Sequence, residues 1–105
     1  MNQTKIIEID IADTISSNLF VRASAVDLFE KIEKMPESDI VIDFENVTFL
    51  NRSFAHEYLT QKSKSSKNIY EKHLAKDVKY MIDVVFKVHR NEFSKLNRQN
   101  SEAVL

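Results

Sequence analysis

The 105-residue chain has no cysteine, no glycine, no tryptophan and a single proline. Without cysteine it can form no disulfide, no thiolate nucleophile and no thiolate metal site, which suits a reducing compartment. Without glycine it can carry neither a phosphate-cradling P-loop nor a dinucleotide-binding glycine fingerprint. The glycine-flanked elbow that presents a serine nucleophile is excluded on the same ground. Any turn that needs a positive φ is expected to use Asn, Asp or Ser instead. No apolar run approaches the roughly 20 residues of a membrane-spanning helix. Residues 1–5 lack the charged segment and apolar core of a secretory leader, so the expected location is the cytoplasm.

What is present is ordinary for a globular chain: 43% apolar and 30% charged residues. One domain over residues 1–105 is expected, with residues 97–105 as a frayed tail. The formal net charge of −1 hides a split. Residues 1–50 hold 4 Lys/Arg and 10 Asp/Glu, a net of −6, and residues 51–105 hold 11 and 6, a net of +5. The two halves either pair or face water separately, or the split steers a partner.

Residues 5–11 alternate apolar and polar, placing Ile7, Ile9 and Ile11 on one face of a strand. Residues 13–18 read as a loop, and Leu19-Phe20-Val21 as a short strand or a helix approach. Ser24 is the expected N-cap of a helix whose stripe is Ala25, Leu28, Phe29, Ile32 and Met35, and Pro36 ends it. Residues 40–44, Ile-Val-Ile-Asp-Phe, have the β-branched character of a central strand covered on both faces. A helix follows from Asn51–Ser53, with Phe54, Ala55, Tyr58 and Leu59 inward. Residues 61–68 are polar and suggest a helix end and loop, and residues 69–74 are the candidate last strand. From Lys76 a long helix is expected, with Val78, Met81, Ile82, Val85, Phe86, His89, Phe93 and Leu96 along its apolar side. The alternation predicts an α/β fold: a small mixed, mainly parallel sheet packed by about three helices.

The residues from Val41 to Glu57 resemble the STAS-like domain family of unknown function, itself related in outline to the STAS domains of sulfate transporters and anti-sigma-factor antagonists. Asp43, Phe44, Val47, Phe49, Ser53, Phe54, Ala55 and Glu57 carry the resemblance, and Arg22–Val26 and Ala75–Ile82 extend it weakly. It implies a STAS-like fold and a non-catalytic regulatory module. That module would bind a protein such as an anti-sigma factor or a histidine-kinase-like ATPase. The implied contact residues are Asn51, Arg52, Ser53, His56 and Glu57, with Ser53 as a candidate phosphoacceptor. In anti-sigma-factor antagonists the phosphorylated serine lies in Asp-Ser-Ser-Gly. Here the stretch is Asn51-Arg52-Ser53-Phe54, with Arg52 at the phosphoacceptor position.

The residues themselves point to little chemistry. Asp43 is expected to organise the turn after its strand, with cation binding as the alternative. Ser53 is expected to cap the helix or to accept a phosphate beside Arg52. His56, His73 and His89 lie far apart in sequence without zinc-ligand spacing, so no metal is expected. No catalytic set and no cofactor are expected. Lys62, Lys64, Lys67, Lys87, His89, Arg90, Lys95 and Arg98 motivate the alternative function, a small nucleic-acid-binding regulator using the basic C-terminal half. A sequence pI near 6.3 and the lack of a nucleic-acid-binding signature weigh against it.

Overall fold

A computed structural model describes residues 5–93. Strand β1 (Ile6–Asp10) runs into a single-turn helix α1 (Ile11–Thr14), capped by the Asp10 carboxylate, which accepts from the Asp13 amide at 3.1 Å. Then come β2 (Asn18–Leu19), α2 (Arg22–Glu33), β3 (Asp39–Asp43), β4 (Phe49–Leu50), α3 (Arg52–Lys64), β5 (Asn68–Lys72) and α4 (Lys76–Val88). One turn of 3-10 helix, Arg90–Phe93, completes the described residues. Leu96 and the tail 97–105 lie outside them.

The main sheet has three strands in the order β1-β3-β5, and both pairings are parallel. The β-branched run 40–42 therefore sits in the centre, with Ile42 between Ile9 and Glu71 and Ile40 between Ile7 and Ile69. Helices cover this face. Tyr58 of α3 meets Phe44 edge-on at 5.8 Å and Phe29 of α2 at 5.6 Å. The inward stripe of α2 is Ala25, Leu28, Phe29 and Ile32, and that of α3 is Phe54, Ala55, Tyr58 and Leu59. Burial of this stripe, more than local propensity, holds such helices.

Several features differ from the sequence reading: Ile11, expected in the first strand, opens α1, which takes in residues 13–14 of the expected loop, and Met35 lies beyond the end of α2. The central strand is buried on one face only. Val41 is half-buried in the row Glu8–Val41–Tyr70, and the Lys72–Glu8 ion pair at 2.7 Å bridges the two flanking strands on this face. Helix α2 begins at Arg22 with Val21 as its N-cap, because β2 delivers the chain there and the Ser24 amide already donates to the Val21 carbonyl at 3.0 Å. Ser24 is thus inside the helix. Helix α4 ends at Val88, so His89 and Phe93 belong to its cap and the 3-10 turn, and α4 packs against α3 and β4. Finally, the one positive φ among described residues, 60°, falls on His73, not on Asn, Asp or Ser. Histidine tolerates this region better than most side chains, and its Nδ1 donates to Asp43 at 2.9 Å.

Glu33, the last residue of α2, fastens the loop after α3. Its carboxylate accepts from the Ser65 hydroxyl, and from the Ser66 amide at 3.1 Å and hydroxyl at 2.6 Å. Burial pushes this carboxyl up, but those hydrogen bonds and the Lys67 charge outweigh it and hold its pKa below the ordinary 4.5. A depressed folded-state pKa gives stability that is complete above the unfolded value and lost as pH falls through the folded one. Glu33→Gln is therefore expected to flatten the loss of stability below pH 4.5. Thermal melts of both proteins across the acid range check this, and parallel losses would show that the clasp contributes nothing.

Candidate functional site

Strands β2 and β4 form a parallel two-residue ribbon, Asn18 beside Phe49 and Leu19 beside Leu50. Each strand leads directly into a helix, so the ribbon sets the N-termini of α2 and α3 side by side. Leu19 and Leu50 anchor it in the core. Thr48 ties its far end, with its amide donating to the Ser17 carbonyl at 2.8 Å and its hydroxyl to Asn18 Oδ1 at 3.1 Å.

Asn51 is the N-cap of α3. Its Oδ1 accepts from the Phe54 amide at 2.8 Å, its Nδ2 donates to the Phe20 carbonyl at 3.2 Å, and its own amide donates to Leu19 at 3.0 Å. Capping thus falls to Asn51 and not to Ser53, which lies in the first turn with its side chain exposed. Asn51→Ala is expected to cost about 0.5–2 kcal/mol, as for other lost caps. Ser53→Ala should stay within about 0.5 kcal/mol of wild type, as for exposed substitutions. Denaturant titration of the two variants separates these roles, and equal losses would contradict them.

The ribbon and the two residues that join it to α2 leave apolar side chains exposed. Phe20 is 52% exposed and Phe49 46% exposed, with ring centroids 5.3 Å apart, and Val21 lies beside Phe20 in sequence at 57%. Between β4 and α4 runs a groove of about 240 Å³ lined by Phe49, Leu50, Val78, Tyr80 and Met81 with Thr48 and Asp77. Arg52 is exposed beside Asn51 and makes no ion pair among the described residues. An apolar patch next to an unpaired guanidinium and the open N-terminal turn of a helix results.

His56 and Glu57, one turn further along α3, face a different neighbour. Arg22 Nη1 lies 3.3 Å from His56 Nδ1 and 3.3 Å from Glu57 Oε1. Arginine is always a donor, so His56 Nδ1 accepts and its Nε2 carries the proton, donating to Glu92 Oε1 at 2.9 Å. The His89 Nδ1 donates to the other Glu92 oxygen at 2.7 Å. Hydrogen bonds from His56 and His89 hold the Glu92 carboxyl below its ordinary value against the opposing effect of burial. The five residues implied by the resemblance therefore divide: Arg52 and Ser53 are open, Asn51 is structural, and His56 and Glu57 join Arg22.

Asp43 closes the turn after β3. Its Oδ1 accepts from the Glu45 amide at 2.9 Å and from His73 at 2.9 Å. Burial raises this carboxyl, yet these bonds and the charges of His73 and Lys72 leave it below its ordinary value. The basic residues of the C-terminal half are partly engaged: Lys62 is buried against Glu71 at 2.8 Å, and Lys67 donates to the Met35 carbonyl. Lys95 and Arg98 lie outside the described residues.

The exposed Phe20–Phe49 pair and the His89–Glu92 contact escape a sequence reading. Phe20 follows β2 and Phe49 opens β4, strands of two residues that are too short for alternation to assign a face. The pair His89 and Glu92, three apart, carries a signal only once the turn is known to be 3-10 helix, where such positions eclipse. No protein-family model matches the chain, and no match was found among curated proteins or solved structures. No helix among the described residues is long and apolar enough to cross a membrane.

Proposed function

We propose that the protein is a cytoplasmic, non-catalytic regulatory module of STAS-like type that binds another protein through the ribbon and the first turn of α3. The carrying observation is the exposed Phe20–Phe49 pair on the ribbon that leads into the helix turn of the unpaired Arg52. Aromatic anchors and arginine are the residue types that dominate binding energy at protein interfaces. The partner this surface fits presents an apolar side chain for the ribbon and an acidic group for Arg52 and the helix end. By the family resemblance, an anti-sigma factor or a histidine-kinase-like ATPase is the partner type. Ser53 is the position where phosphorylation would act, adding negative charge at the contact and competing with the partner's acidic group for Arg52.

Arg52→Glu is expected to abolish capture of the partner while leaving the melting temperature unchanged, since reversal sets like charges against each other at a desolvated contact. Pull-downs with wild type and variant, each with a thermal melt, check it. Equal recovery at equal melting temperature would remove Arg52 from the interface. Duplex and single-stranded nucleic acid in the same assay test the rival reading, and tight, steeply salt-dependent binding would favour it.

A further inference from the structure

We propose that His56, His89 and Glu92 form a binding site for a divalent transition metal of the zinc class. Their donor atoms lie within 4.8 Å of one another, and they come from α3, the cap of α4 and the 3-10 turn. Two imidazoles and one carboxylate make a donor set suited to Zn²⁺, and such three-residue sets leave a fourth position for water or an incoming side chain.

The frame is built and not left to mobile side chains. Phe93 is 1% exposed and packs on Phe86 at 6.2 Å and on the His56 ring at 5.8 Å. That anchor fixes the 3-10 turn and holds Glu92 opposite α3. The His56 and His89 rings stand 4.6 Å apart, edge to face, and the Glu92 carboxylate reaches both at 2.9 and 2.7 Å. Ligands about 2.0–2.1 Å from a tetrahedral zinc are roughly 3.3 Å from each other. Both His–Glu distances must therefore open by about half an ångström, and the two imidazole donors, within 4.8 Å of each other, must settle at the same spacing. Side chains that are a quarter to a half exposed can make this adjustment without moving the helices. The second cluster, Asp43, Glu45 and His73, offers one imidazole, and its Asp43–His73 contact already closes a turn.

One neighbour opposes the metal. Arg22 Nη1 faces His56 Nδ1, and a metal on Nε2 moves the ring proton to Nδ1, where a guanidinium cannot accept it. Arg22 must then withdraw onto Glu57, which it already contacts. Its charge also repels the cation. A ligand cluster and a charge that weakens it make an assignment with opposite-signed tests.

The experiment is calorimetric titration of the metal-free full chain with Zn²⁺, with Co²⁺ as the spectroscopic probe. Expected are one Zn²⁺ per chain, a rise in melting temperature and the visible bands of four-coordinate Co²⁺. His89→Ala and Glu92→Gln should each weaken binding by about tenfold or more, on the scale seen when a metal site loses a supporting group. Arg22→Gln should tighten binding, and His73→Ala should leave it unchanged. Melts in chelator establish that each variant is folded, and Glu92, which is exposed, serves if His89→Ala is not. Absence of Zn²⁺ binding by wild type, binding undiminished in Glu92→Gln, or binding weakened by Arg22→Gln would each overturn the assignment.

Discussion

Phe44→Ala is expected to destabilise the protein by about 3–5 kcal/mol, the usual cost of truncating a buried phenylalanine. Phe44 directly follows β3, is fully buried, and continues the ladder through its amide, which donates to the Lys72 carbonyl at 3.0 Å. Its ring meets Tyr58 at 86°, so the truncation removes an edge-to-face contact as well as the apolar area. Through Tyr58 it joins the sheet to α3, and Tyr58 in turn meets Phe29 of α2. Against a total stability of about 5–15 kcal/mol, the variant is expected to be partly unfolded at physiological temperature. A denaturant titration checks the loss. A midpoint close to that of wild type would show that Phe44 does not join the two layers.

The second large effect lies in the same core. Lys62 and Glu71 form an ion pair at 2.8 Å with side chains 8% and 4% exposed, and the Tyr58 hydroxyl donates to the same carboxylate. Burial, with the nearby Glu71 charge, pushes the Tyr58 hydroxyl well above its ordinary value, so it stays a donor at every physiological pH. No buried side-chain nitrogen or oxygen among the described residues lacks a partner. Lys62→Met would leave the Glu71 carboxylate buried without its cation and is expected to cost about 3–5 kcal/mol. Replacing the whole group, Tyr58→Phe with Lys62→Met and Glu71→Leu, is expected to recover most of that loss or to exceed wild type, because the desolvation cost of both charges disappears with them. Chemical denaturation of the single and triple variants decides it. A single variant as stable as wild type would mean that the pair is solvated.

The sequence makes some of this legible. The β-branched run 40–42 announces the central strand because β-branched residues fit a pleated, half-buried surface. The stripes of α2 and α3 are legible from their spacing. The short ribbon is not, since two residues carry no period. Neither is the burial of Lys62 and Glu71, which read as part of a polar helix end and an ambiguous strand. Their positions are set by the pairing of β5 with β3, which turns Glu71 onto the helix-covered face beside Ile42. Cap identity fails for a related reason: serine and asparagine are comparable caps, and the ribbon decides between them by offering Asn51 two further partners at Leu19 and Phe20. Arg52 and Ser53 enter the candidate site through the family resemblance, and the structure shows both exposed in the first turn of α3. The aromatic pair beside them depends on the ribbon.

The proposed binding surface is tested most directly by amide hydrogen exchange of the full chain, free and with any protein that co-purifies with it. Expected is slowed exchange at residues 20–22 and 49–53, with the open sheet face at 41 and 70 unchanged. Slowing confined to that sheet face, or the absence of any stable protein complex, would contradict a binding role for the ribbon and the start of α3.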